Sequence, residues 1–191
     1  MAATVQAVDS RARDVLNDPS KVRWLEPELL RWVSDALDLL ARAMPTLFIK
    51  RGAHTCTLGA LQTLTIDRVM AVVRVIGVPQ CEKTTLDAFM PTWQDRTAGA
   101  AKNWMPSDNG AKSFYVYPPS PVGQALSVDY VEAPAELSAM ANTLPVSDDY
   151  VSLLADYVIG MSESKDAEHV NSGRAAAFIQ SFAAKLGIAT K

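Results

Sequence analysis

Cysteine and histidine are scarce in this chain of 191 residues, which has only Cys56, Cys81, His54 and His169. One cysteine pair does not make a disulfide framework, so two reduced thiols are expected. A zinc site needs several His or Cys ligands at set spacing. His54 and Cys56 are close in sequence, but Cys81 and His169 have no ligand partner near them, and no metal is expected. An excess of either charge is also missing. The net charge is −3 and the pI about 5.4, which excludes a general electrostatic attraction to nucleic acid or anionic lipid. No apolar run approaches the roughly 20 residues of a membrane span. The start, "MAATVQAVDSRARDVL", lacks a basic segment followed by an apolar block, so no signal peptide is expected.

Catalytic signatures are missing as well. There is no nucleophile elbow, P-loop or GxGxxG, and no cofactor is expected. A catalytic site assembled from distant residues would leave no such trace. His169, beside Asp166 and Glu168, suits a solvated helix face better than a general base, and Asp148-Asp149 suits the first turn of a helix.

What is present is a globular composition, 49% hydrophobic and 20% charged, in a length that fits one domain with a sizeable core. Helical spacing comes first. Val5, Val8, Ala12, Val15 and Leu16 recur along one helix, which Asn17-Asp18-Pro19-Ser20 stops. Leu29, Val33, Leu37, Leu40 and Met44 form the stripe of a second helix, with Pro27 near its start and Pro45 at its end. These two helices are expected to pack as an antiparallel hairpin over residues 1–45. Arg11, Arg13, Lys21 and Arg23, balanced by Asp9, Asp14, Asp18 and Glu26, read as a mixed surface.

From 46 to 145 the period shortens to that of strands. "TLFIKRG" and "DRVMAVVRVIG" are β-branched runs closed by Gly52 and Gly77, "LDAFMPTW" is a short helical turn, and Asp108-Asn109-Gly110 signals a hairpin turn. Residues 114–130, "FYVYPPSPVGQALSVDY", admit two readings. Pro118 and Pro121 fit a PxxP docking peptide, but such a peptide belongs in a solvent-facing linker. Strand-forming residues bound the prolines on both sides, so the segment reads as a self-paired hairpin whose tip is available to touch a neighbour. Helix returns over 146–187, with Ser147 as N-cap, a stripe of Tyr150, Leu154, Tyr157 and Met161, and a last helix closed by Gly187.

Two features stand out for function. Trp24, Trp32, Trp93 and Trp104 are not interleaved with a basic patch, so they are expected in the core or at a subunit interface and not as stacking platforms. Between Asp129 and Glu168, nine acidic residues stand against the single base Lys165. That run is either an ordinary soluble helical surface or a surface that repels phosphate.

The chain resembles the head-to-tail adaptor (connector) proteins of tailed bacteriophages from about Ala7 to Gly187. The likeness is carried in order by "VLNDPSKVRWLEPELLRWVSDALDLLARAMP", "LDAFMPTWQD", "FYVYPPSPVG", "VDYVEAPAEL" and the stretch from "LPVSDDYVSLL" to "FAAKLG". The resemblance implies an α+β, mainly α fold. In it a four-helix bundle carries a β-structured insertion between the second and third helices, all in one domain over 1–191. It also implies a virion neck protein that forms a ring, commonly twelve-fold, under the portal protein. Such a ring extends the DNA channel and docks the next neck or tail protein, without catalytic residues, cofactor or membrane. In that setting Asp148, Asp149 and Asp156 are candidates to line the channel, because a carboxylate lumen would let duplex DNA slide, whereas a basic one would hold it. The tail Ile188, Ala189, Thr190 and Lys191 is the candidate portal contact. Tyr117, Pro118, Pro119 and Pro121 form the candidate intersubunit or tail-contact hairpin. A stopper or tail-completion protein, or a small-molecule-binding accessory protein, are the alternatives.

Overall fold

The computed structural model describes residues 2–165 and 172–187. Its elements run β1 (Ala2–Thr4), α1 (Val5–Leu16), α2 (Glu26–Ala43), β2 (Ile49–Thr55), β3 (Gly59–Thr63), β4 (Val69–Val75), α3 (Lys83–Phe89), β5 (Asn103–Pro106), β6 (Ser113–Ser120), β7 (Ala125–Glu132), β8 (Thr143–Ser147), α4 (Val151–Lys165) and α5 (Ser172–Lys185). They fall into two compact units, Met1–Phe48 with Pro134–Lys191, and Ile49–Ala133.

The expected four-helix bundle is not what forms. Among the described residues there are five helices and eight strands in three sheets, with 42% helix and 26% strand, so the fold is mixed α+β and not mainly α. In the first unit α1, α2 and α5 each pack on α4, while α1 and α2 touch only slightly and do not form the expected hairpin. The physical reason lies in α4. Leu153, Leu154 and Ala155 are buried in succession, followed by Val158, Ile159, Gly160 and Ser162, so the helix is enclosed on several sides and its one-stripe reading was too narrow. Gly160 permits a close approach, since a Cβ there would lie 2.6 Å from Ile179 Cδ1 on α5. Two short strands that periodicity did not signal, β1 and β8, pair antiparallel beside the start of α1.

The residues read as mixed surface also require correction. Asp9, Arg13 and Asp18 are buried, at 1%, 3% and 7% exposure. Arg13 Nε donates to Asp9 at 2.8 Å, and its terminal nitrogens reach Asp18 Oδ2 and the Trp24 carbonyl at 3.0 Å each. Asp18 in turn accepts from the backbone N–H groups of Val22, Arg23 and Trp24 at 3.0, 3.3 and 3.1 Å. Burial alone would raise its pKa, but those three amides and the Arg13 charge outweigh it and hold the carboxyl below the usual aspartate range. One arginine thus ties α1 to the loop that leads into α2.

The second unit is a small sandwich. Sheets β2-β7-β4 and β3-β6-β5 are antiparallel throughout. Their inner faces share one core, in which Val128, Leu126 and Val75 of the first sheet meet Phe114, Val116 and Trp104 of the second. A smaller cluster of Trp93, Met105 and Tyr115 covers the other side of the second sheet. The expected β5–β6 hairpin forms across the Asp108-Asn109-Gly110 turn. The expected self-paired hairpin of residues 114–130 does not. β6 pairs with β3 and β5, whereas β7 pairs with β2 and β4, so the two strands lie in different sheets. The missing information was β3, which lies in the uncharged stretch "TCTLGALQTLT" and takes the partner position that the hairpin reading gave to β7.

Candidate functional site

The first unit carries an open groove of about 630 Å³ where β1, α1, the 3-10 turn Asp148–Tyr150 and the start of α4 converge. The first amides of α1, which have no partner inside the helix, are used to build it. Val5 N–H donates to the Asn142 carbonyl at 3.0 Å and Gln6 N–H to the Met140 carbonyl at 2.9 Å, and Ala7 N–H reaches Thr4 Oγ1 at 3.3 Å. Thr4, Arg11, Asp148, Asp149 and Ser152 line the groove. Asp148 and Asp149 sit in a 3-10 turn immediately before α4, and Asp149 accepts from Ser147 Oγ at 3.2 Å. Ser147 therefore stands at the cap position but bonds a carboxylate, not a backbone amide. Asp156 is not part of this groove. It lies on α4 against α5, accepting from Ser181 Oγ at 2.7 Å and from Lys185 Nζ at 2.6 Å.

Bases from elsewhere in the chain reach much of the acidic run. Besides Asp156, Glu132 pairs with Lys50 at 2.8 Å and Glu163 with Arg174 at 3.2 Å. Asp129 takes two partners. It stands on the central strand β7, in register with Arg51 of β2 and Arg74 of β4, and accepts from their Nε groups at 2.7 and 2.6 Å. Those two hydrogen bonds hold its pKa down to about 2. The sequence gap between these residues hides the triad, which only the register of three adjacent strands reveals.

The prolines of 117–121 sit where two paired strands cross together from one sheet to the other. The β2–β7 ladder runs through Thr55↔Ala125, continues as Cys56 N–H to Gln124 O at 2.8 Å and Gly123 N–H to Cys56 O at 3.0 Å, and resumes in the second sheet at Gly59↔Ser120. The structure is thus a bent ribbon of two partner chains in place of a hairpin. Tyr117 is held within the unit by its hydroxyl bond to Met90 Sδ at 3.4 Å and its edge contact with Trp93. The Pro119 carbonyl accepts from Gly99 N–H at 2.8 Å. Pro119 is buried, Pro118 half-buried and Pro121 exposed, so of the four named residues Pro121 is the most available to a neighbour.

All four tryptophans are buried, at 8% exposure or less, which removes them as stacking platforms. Both cysteines are free, and burial pushes both thiols above their usual pKa. Among the described residues no group of three or more His, Cys, Asp or Glu converges as a metal site, and no helix is long and apolar enough to cross a membrane. Ile188–Lys191, the candidate portal contact, and His169 with Asp166 and Glu168 lie outside the described residues.

A helical unit and a small β-sandwich make up a mixed α+β chain. The chain belongs to the SU10 adaptor protein family, a family of phage head–tail adaptors, whose model matches residues 3–191. No curated protein matches it.

Proposed function

We propose that this protein is a non-enzymatic head-to-tail adaptor of a phage virion. It forms a ring, probed first as a twelve-fold one, under the portal protein in the neck, where it extends the DNA channel and docks the next neck or tail protein. The observation that carries this reading is the match of the adaptor family over residues 3–191, nearly the whole chain. The physics of such a ring is consistent with two distinct units in one subunit, because identical copies joined head to tail need two different patches and close only if the rotation closes.

Within that reading Asp148, Asp149 and Asp156 are the proposed channel-lining residues, the first two beside one open groove and Asp156 paired with Ser181 and Lys185. The DNA passes without sequence-specific contacts. Ile188–Lys191 is the proposed portal contact. The test is co-purification of the full chain with the portal of the same phage, alongside a chain lacking Ile188–Lys191. A portal-bound complex for the full chain and a weakened one for the truncated chain are expected. A chain that stays separate from the portal would overturn the adaptor reading, and equal binding by both chains would remove the tail from it.

A further inference from the structure

The first sheet of the β-sandwich, β2-β7-β4, has an outer face turned away from the shared core. Val128 and Tyr130 of β7 and Val75 of β4 belong to that core. Alternation and register therefore send Asp129 and Ser127 to the other side, with Arg51 and Ala53 of β2 and Arg74 of β4. An antiparallel sheet with one wet face ordinarily carries polar residues there. Here Ile49 stands at one end, opposite Val131, and Ile76 at the other, its N–H on the Ser127 carbonyl. Val73 is the extra residue where the register of β4 shifts. These three are 39%, 36% and 37% exposed, and Ala53 and Ala71 are exposed beside them. Exposed apolar residues taken singly are ordinary, but here they share one side of a three-stranded sheet and form a patch.

Two guanidinium groups lie within that patch, and both are pinned. Asp129 is buried and accepts from Arg51 Nε and Nη2 at 2.7 and 3.1 Å and from Arg74 Nε at 2.6 Å. Both arginine side chains nevertheless stay more than half exposed, at 57% and 60%. Among the described residues neither has another hydrogen-bond partner, so Nη1 of Arg51 and both terminal nitrogens of Arg74 are unused. One carboxylate between two guanidiniums leaves a charge of +1 on an otherwise apolar face. A planar fork already held in place matches a further carboxylate and loses little freedom in taking it.

We propose that this face docks on the first unit of a neighbouring copy of the chain. Arg51 and Arg74 receive that copy's carboxylates, and Ile49, Val73 and Ile76 pack around them. The contact rests on the adaptor reading and names the surface by which its subunits join. The two units differ in charge in the sense that this requires. Met1–Phe48 with Pro134–Lys191 holds ten lysines and arginines against fourteen acids, a net −4, while Ile49–Ala133 holds eight against seven, a net +1. In the first unit Asp14, Asp35, Asp38, Glu136 and Asp149 are exposed and, among the described residues, have no ion-pair partner. Two such sheets set face to face would bring guanidinium against guanidinium. The contact is thus between unlike patches, the kind that can close a ring of identical copies. Passing DNA is a poorer occupant. Asp129 cancels half of the charge, and the residues around the arginines are apolar, where affinity for phosphates comes from several bases. Arginine among apolar residues, without lysine, is the composition of a protein–protein contact.

The experiment compares the full chain with a triple variant, Arg51→Gln, Arg74→Gln and Asp129→Asn, which keeps a hydrogen-bonding side chain in all three places. The control is Lys50→Gln, on the same strand but in register with core-facing Tyr130. Both changes make the net charge more negative by the same amount, so a general charge effect would appear in each. Each chain is co-expressed with the portal of the same phage, and portals carrying a closed ring are counted by imaging. Expected are about a tenfold or greater fall in ring-bearing portals for the triple variant and a change within about twofold for the control. Rings at the parental level in the triple variant, or an equal fall in the control, would overturn the proposal and leave the adaptor reading standing. A parent chain that forms no ring on the portal would refute both. A photoreactive residue in place of Ile76, in a mixture of isotopically labelled and unlabelled chains, gives a readout that does not depend on the triple variant's folding. Cross-links to residues 1–48 or 134–191 of another copy are expected. Cross-links confined to one chain, or made to the second unit of a copy, the portal, a tail protein or DNA, would overturn the proposal.

Discussion

Arg13 and Asp18 meet at 3.0 Å inside the helical unit, with both side chains buried. The guanidinium spans from Asp9 on its own helix to Asp18 and the Trp24 carbonyl in the following loop, and Asp18 collects three backbone amides of that loop. The path from α1 into α2 is therefore fixed by polar bonds and not by apolar packing of the two helices on each other.

Arg13→Met keeps much of the side chain's bulk but leaves two carboxylates buried without their cation. Removing one partner of a buried ion pair costs about 3–5 kcal/mol. Denaturant titration of the variant is expected to show a loss of that size, and a loss under about 1 kcal/mol would contradict the role given to the network.

Stability should also fall in acid, with a sign set by two aspartates. Both Asp18 and Asp129 are held below the usual carboxylate range, Asp129 at about 2. A carboxyl whose folded pKa is depressed stabilises the fold above its unfolded value, roughly 3.9, and that contribution disappears as pH falls through the folded value. Thermal melts should therefore drop between about pH 4 and pH 2. Asp129→Asn, which removes the titrating group between Arg51 and Arg74, should make the drop shallower. An identical pH profile for parent and variant would show that the triad does not supply the linkage.

Gly160 tests the packing of α4 on α5. An alanine there is better for the helix by up to about 1 kcal/mol in isolation, but its Cβ would sit 2.6 and 2.8 Å from Ile179 Cδ1 and Cγ1. Overpacking of this kind costs about 1–3 kcal/mol, so Gly160→Ala is expected to destabilise the protein on balance. In an Ile179→Ala background the penalty should vanish or reverse. A double-mutant cycle with no coupling would contradict the close approach.

Much of the architecture was legible in the sequence where period and turn chemistry agree. Val5 to Leu16 and Leu29 to Leu40 have helical spacing and clear stops, and both helices form. Asp108-Asn109-Gly110 marks a hairpin that forms as well. The partner of a strand is a different kind of fact. Phe114–Tyr117 and Ser127–Glu132 look like two arms of one hairpin because they are near in sequence. In the structure the first pairs with β3 and β5 and the second with β2 and β4, and of these four partners only β5 lies near in sequence. The helical expectation failed for a related reason. Leu153-Leu154-Ala155 has no single-face period, because three neighbours enclose α4 and no stripe describes such a helix. A pair on one helix face such as Asp9 and Arg13 is usually solvated, and here only the loop folding back through Asp18 buries it.

In the candidate site, Asp148 and Asp149 border one groove because they are neighbours in the chain, which by itself gives them no role. Four members of the acidic run, Asp129, Glu132, Asp156 and Glu163, have basic partners that lie well away along the chain, among them Lys50, Arg51, Arg74 and Lys185.

The most direct measurement of the central claim is single-particle imaging of this chain co-expressed with the portal of the same phage. The account predicts a closed ring of copies seated under the portal, with the portal's channel continued through it. A single copy bound at the portal's flank, or an unbound monomer beside bare portals, would contradict it.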